Sequence, residues 1–368
     1  MNLRDVELRR IGLSLVHPFR TSFGTEQKRD ILLVHVEADD SEGWGECAAM
    51  QEPVYSSEYV DGAQQVIREH FLPRLTTDVS AASLSKLLAP FHGHPMAKAA
   101  LEMAVLDAEL RASGASLATH LGATRSRVPV GVSVGIFDEI PELLDTVENY
   151  LSRGYTRVKL KIEPGWDIDP VRAVRERFGD DLLLQVDANT AYNTADIGHL
   201  AGLDRFGLLL IEQPFAKEDL LTHAAFARRI ATPVCLDESI TSVRTAAAAI
   251  ELGACSIVNI KAGRVGGYLE ARRIHDLCAE RNVPVWCGGM LETGLGRAAN
   301  LALAGLPNFL YPGDISETAR YYEHDITPPF VLEPDGTIAV PDGPGLGVQP
   351  DPDRLEEVTT SVEHIRLL

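Results

Sequence analysis

From residue 129 onward the chain repeats one unit: a short apolar run, a turn and a stretch of helical periodicity. The runs end at Gly135, Lys161, Asp187, Glu212, Asp237, Lys261, Cys287 and Gly313, spaced 24 to 26 residues apart. That spacing holds one strand and one covering helix per unit. Strands joined through helices run parallel, and eight such units without a Gly-rich dinucleotide fingerprint predict a closed α/β barrel, not an open doubly wound sheet.

Residues 1–128 read differently. Apolar residues alternate over Leu3–Leu15 and Ile31–Val36, and a turn precedes Gly43-Trp44-Gly45-Glu46, so an antiparallel meander is expected. Helices follow, clearest over Ala97–Ala112. The expected division is an α+β capping domain over 1–128, a catalytic barrel over 129–318, and a Pro-rich segment over 319–368 that packs back on the cap.

Charge and composition narrow the partners. With 34 Lys and Arg against 53 Asp and Glu the net charge is -19, which argues against nucleic acid or an anionic membrane as partner. No apolar run approaches the 18 or so residues of a membrane span, and a cytoplasmic protein acting on a small molecule is expected. Five cysteines without a CxxC pair read as buried, reduced thiols, and His92-Gly93-His94 reads as a surface loop.

A barrel strand covered on both sides should be apolar throughout. Here the rule is broken in phase. In Val158-Lys159-Leu160-Lys161-Ile162 the two lysines alternate with apolar residues and so share the inward face. Gln185, Asp187 and Asn189 share a face of the third strand, and Asn259 and Lys261 a face of the sixth. All the charged members fall at C-terminal strand ends, where enzymes of this fold place their chemistry. Asp187, Glu212 and Asp237, on three consecutive strands, would repel unless a cation sat among them, and an oxygen-only set suits Mg²⁺ or Mn²⁺.

Lys161 and Lys261 end strands four apart in an eight-membered ring and therefore face one another. A substrate carbon between them has an amine on each side, the geometry of a two-base enzyme. Burial and the Lys159 ammonium are expected to lower the Lys161 pKa, and Arg264 to do the same for Lys261. Glu238, beside Asp237 and so on the opposite face, reads as a supporting acid; Glu46 and His17 have no phase argument and stay unassigned. Two other classes fit parts of the pattern: a Schiff-base aldolase using a barrel lysine, and a non-catalytic scaffold.

The chain resembles the enolase superfamily, in particular its muconate-lactonizing-enzyme group and within that the N-acylamino acid (N-succinylamino acid) racemase and o-succinylbenzoate synthase subfamily. The resemblance runs through HPFRTSFGT, GWGEC, YSSEY, VKLKIEPGWD, LLQVDANTAY, LLIEQP, CLDESI and VNIKAGRVGGYLEARR and covers essentially the whole chain. It implies a (β/α)7β modified TIM barrel whose capping domain is completed by the carboxy-terminal segment. It further implies Mg²⁺, or another divalent ion, on Asp187, Glu212 and Asp237, an acid/base pair Lys161 and Lys261 tuned by Lys159, and support from Asn189, Glu238 and Arg264. Phe19, Phe23, Met50, Ser133, Gly289, Met290 and Leu291 would contact substrate.

The implied reactions are racemisation of N-acylated amino acids and the syn-dehydration that makes o-succinylbenzoate for menaquinone. Dipeptide epimerase and muconate cycloisomerase are the alternatives, and a homo-oligomer is expected. Two departures stand out: Ala262 where relatives carry Pro, and Asp314-Ile315-Ser316 in place of the Asp-x-Asp of dipeptide epimerases.

Overall fold

The computed structural model describes residues 1–75 and 79–367. The amino-terminal alternation forms β1 (Leu3–Thr21), β2 (Gly24–Ala38) and β3 (Glu42–Cys47). β1 and β2 pair antiparallel from Leu3↔Ala38 to Thr21↔Gly24, and β2 pairs with β3. The glycines of Gly-Trp-Gly-Glu have a steric reason: a Cβ at Gly43 or Gly45 would lie 2.2 Å from Ala104 O or 2.0 Å from Ala100 O. Their absence lets the helix Pro95–Ser113 lie directly on the sheet, burying Leu101, Ala104, Val105 and Ala108.

That helix begins at His94, whose φ of 55° and lack of a cap bond leave the first N–H groups open. Glu58 fills the gap, its carboxylate accepting the Met96 and Ala97 N–H groups at 2.9 and 3.1 Å. Burial pushes Glu58 up to about 7, while the two N–H donors and Lys98 pull the other way. The folded chain therefore binds this proton more tightly than the unfolded one. The stability it confers is full below the ordinary carboxyl value and is lost as pH rises through about 7. Relative to wild type, Glu58→Gln should gain on the order of 2–3 kcal/mol between about pH 4.5 and about pH 8. Urea midpoints at the two pH values measure it, and a pH-independent gap would refute the assignment.

The remaining strands are β4 (Arg127–Pro129), β5 (Val132–Val134), β6 (Arg157–Lys161), β7 (Leu183–Asp187), β8 (Ile211–Glu212), β9 (Val234–Leu236), β10 (Ile257–Ile260), β11 (Val285–Cys287), β12 (Thr337–Ala339) and β13 (Thr359–Arg366). β5 to β11 form one parallel, curled sheet of seven strands in sequence order. It is the modified barrel, with two corrections to the repeat. The eighth run is not a ladder strand: it meets its neighbours at the isolated bridges Val285↔Phe309 and Val130↔Gly313, with a further bond from the Asp314 N–H to Cys287 O at 2.8 Å.

The first run is split. β4 leaves to pair antiparallel with β12, and only Val132–Val134 enters the parallel sheet. Gly131 lies between them because the fully buried Arg157 guanidinium fills that space, 2.3 Å from where a Cβ would sit. Arg157 donates to Pro312 O at 2.6 Å and Asp314 Oδ1 at 2.7 Å, tying the irregular segment down.

β13 pairs with β1 from Asp5↔Arg366 to Ile11↔Thr359 and completes the sheet β13-β1-β2-β3. The five cysteines are buried and free. Among the described residues, no helix is long and apolar enough to cross a membrane.

Candidate active site

Register builds the site. Lys159 stands beside Gln185, Lys161 beside Asp187, and Asp187 beside Glu212 across β6, β7 and β8. Neighbours in register on parallel strands share a face, so these side chains all enter the ring. Asp237 and Lys261 lie one residue beyond β9 and β10. Every one of these charged groups is buried, the most exposed being the two lysines Lys161 and Lys261 at 7%.

Buried charges need partners. Lys159 Nζ lies 2.5 Å from Asp314 Oδ2, 3.0 Å from Glu212 Oε2 and 3.1 Å from Asp187 Oδ2. Lys161 donates to Asp187 Oδ2 and Asn189 Oδ1, both at 2.6 Å. Lys261 donates to Asp237 Oδ2 at 2.8 Å and Tyr55 Oη at 3.2 Å, with the Tyr55 ring centre 4.8 Å away. Arg264 takes the other oxygen of Asp237 and also donates to Ile240 O and Asn259 O.

The two catalytic-lysine candidates are held in different electrostatic states. Burial pushes Lys161 below the usual lysine value, and the neighbouring Lys159 ammonium adds to this against the pull of Asp187. Lys261 is raised, which corrects the expectation from Arg264: burial acts downward, but Tyr55, Glu238, Glu212 and Asp187 together outweigh it. Arg264 acts on this lysine by sharing Asp237, its counter-ion. Lys159 is likewise raised, since Asp314, Glu212 and Asp187 more than offset burial.

The acids are tied to these lysines. Each of Asp187, Glu212 and Asp237 is paired to a lysine, and among the described residues no three His, Cys, Asp or Glu side chains gather as a ready metal cage. The lysine ammoniums offset part of this carboxylate charge. The donor set nevertheless fits a hard divalent ion: three buried carboxylates on consecutive strand ends, with no soft ligand among them. Two more oxygens beside them, Glu238 Oε2 and Asn259 Oδ1, are buried and accept no hydrogen bond, so acceptor capacity exceeds what the protein's own donors use.

Glu238 is corrected in position. The chain leaves β9 after Leu236, strand alternation stops, and Glu238 turns inward to accept from Asn189 Nδ2 at 2.9 Å. Asn189 also lies beyond its strand, its φ of 42° swinging the amide between Lys161 and Glu238.

A cavity of about 60 Å³ opens over these groups. Lys161 and Lys261 both line it, from strands four places apart in the sheet, together with Phe19, Phe23, Met50, Gly289, Met290, Leu291 and Asn189. Ser133 is not on this wall: it stands on β5 in register with Lys159, deeper in the ring, with its Oγ unpartnered. Sequence reasoning missed Tyr55, Thr21, Glu26 and Arg29 on the lining. It also gave no role to Asp314, the carboxylate that holds Lys159 and Arg157 together.

Two family descriptions match the chain: the mandelate racemase / muconate lactonizing enzyme N-terminal domain over residues 5–122 and the enolase C-terminal domain-like family over 142–354. The chain belongs to the enolase superfamily. This enolase-superfamily chain is 64% identical to an N-succinylamino acid racemase of Amycolatopsis sp over 98% of each chain. It is 47% identical to an o-succinylbenzoate synthase of Geobacillus kaustophilus, over 98% of this chain and 96% of that one. A solved enolase-superfamily member from Listeria innocua superimposes with a TM-score of 0.95 at 40% identity over the whole of both chains. An L-Ala-D/L-Glu epimerase of Bacillus subtilis is more distant, at 27% identity over 95% of this chain and 97% of that one. Superfamily enzymes of this kind use a divalent metal with a Lys or His base.

Proposed function

We propose that the protein removes a proton α to a carboxylate with opposed lysines, racemising N-acylated (N-succinyl) amino acids and serving also for syn-dehydration to o-succinylbenzoate. The observation that carries this is the single cavity lined by Lys161 and Lys261 from strands four apart. The full-length relatives named for these two activities support it, and the higher identity favours racemisation as the first reading.

Lys161, with its lowered pKa, is the group able to stand neutral and take the Cα proton at Nζ. Lys261, held charged, returns a proton to the opposite face of the same carbon. The other enantiomer requires the two protonation states exchanged, and Asn189 and Tyr55 hold the amines in place in both directions. In the dehydration Lys161 is the base and Lys261 steadies developing charge. When held by Asp187, Glu212 and Asp237, a divalent ion such as Mg²⁺ supplies positive charge beside the substrate carboxylate as its oxygens gain charge.

The same reading takes 129–318 as the catalytic barrel, capped by 1–128 with 319–368, in a cytoplasmic homo-oligomer. Dipeptide epimerisation is disfavoured because Asp314 is already committed to Lys159 and Arg157 and Ser316 stands where a second acid would be.

Racemisation of N-succinylphenylalanine, o-succinylbenzoate formation, dipeptide epimerisation and muconate cyclisation, assayed side by side, test the proposal. Turnover is expected in the first two and absent from the last two. Borohydride trapping of a substrate adduct, insensitive to EDTA, would instead indicate Schiff-base chemistry.

A further inference from the structure

Glu46, the acid of Gly-Trp-Gly-Glu, has no part in the chemistry above. It stands on β3 of the capping sheet, is 8% exposed, and its carboxylate is hydrogen-bonded to barrel residues. Oε1 accepts the Thr293 N–H at 3.0 Å; Oε2 accepts Thr293 Oγ1 at 2.6 Å and the Gly296 N–H at 3.0 Å. Thr293 is itself the cap of the helix Gly294–Ala304, accepting the Leu295 N–H at 3.3 Å. Gly296 gives the carboxylate access, since a Cβ there would lie 3.0 Å from Glu46 Oε2 and 2.7 Å from Glu292 Cβ.

Just before this anchor come Gly289, Met290 and Leu291, one wall of the catalytic cavity. Leu291 has φ 59°, a left-handed conformation that a leucine does not adopt without outside support. Three ties supply that support. Tyr322 Oη donates to Leu291 O at 2.5 Å, Glu292 accepts the Met290 N–H at 2.8 Å, and Glu46 grips the far end through Thr293. Glu46 alone of the three reaches across from the capping sheet, with both carboxyl oxygens engaged.

We infer that Glu46 is a positioning residue that fixes the Met290–Leu291 wall and thereby sets which substrate side chains fit, an inference resting on the reading of this cavity as the substrate site. The lysines belong to other elements and do not bond to Glu46, so its loss should alter fit and leave the proton transfers intact.

Glu46→Gln keeps the shape but turns an amide donor towards groups that are themselves donors. Thr293→Val removes the hydroxyl, and Thr293→Ser retains it. With N-succinylphenylalanine, Glu46→Gln and Thr293→Val should raise KM about tenfold, the scale of one lost hydrogen bond. With N-succinylalanine, KM and kcat should stay within about twofold, and Thr293→Ser should behave as wild type on both substrates. Hydrogen exchange by mass spectrometry on the same folded variants should show faster exchange over residues 289–296 in Glu46→Gln. An unchanged preference between the two substrates, or an equal fall in kcat on both, overturns the inference. If wild type turns over neither substrate, the functional reading fails. The exchange experiment then decides on Glu46 alone, and unchanged protection of 289–296 refutes its role.

Discussion

Lys161→Arg and Lys261→Arg should each lower racemisation by roughly three to four orders of magnitude, the upper range for a positioned acid–base group. Arginine keeps a cation beside Asp187 or Asp237, so the ion pair that stabilises the fold survives, but a guanidinium does not give up its proton at working pH. Alanine at either position takes one of two cationic partners from a buried carboxylate, leaving Asp187 to Lys159 or Asp237 to Arg264, and so confuses lost chemistry with lost stability. The sharper readout is deuterium incorporation at the α-carbon in D₂O. Lys261→Arg should exchange the enantiomer that presents its proton to Lys161 and leave the other untouched, without inversion. The mirror result is expected of Lys161→Arg. Undiminished exchange of both enantiomers by either folded variant would end the two-base assignment.

Removal of divalent metal is the second large effect. Dialysis against EDTA should abolish turnover, and Mg²⁺ or Mn²⁺ should restore it. Independently of activity, metal at a hundred times its Kd should stabilise the fold by about 2.7 kcal/mol, read as a rise in Tm. Glu212→Gln should erase that rise, because Glu212 lies between Asp187 and Asp237 in strand order and its oxygens accept hydrogen bonds from Lys159 and Asn259. A metal-induced rise undiminished in Glu212→Gln, Asp187→Asn and Asp237→Asn alike would remove these residues as ligands.

The lysines and acids were legible in the sequence because strand alternation has a period of two and charge inside a barrel strand is costly. Wherever the chain left a strand, that logic stopped. Glu238 was placed on the wrong face because β9 ends at Leu236, two residues before it. The eighth run was counted as a strand because spacing measures residues and not hydrogen bonds, and the single bridges at Phe309 and Gly313 leave no trace in periodicity. Tyr55 meets Lys261 across 206 positions of sequence, and Glu46 meets Thr293 across 247, distances at which no local pattern carries information. The direction of the Lys261 shift was missed for the same reason, since the groups that raise it include Tyr55 and an inward-turned Glu238.

The junction between β11 and β5 is bridged by the irregular stretch from Phe309 to Asp314, held by backbone hydrogen bonds to Val285, Cys287, Pro129 and Gly131 and by Arg157. Asp314 in this stretch is also the side chain that holds Lys159. Closure of the ring and the charge balance in its interior thus hang on one carboxylate, so a substitution at Asp314 should disturb both together.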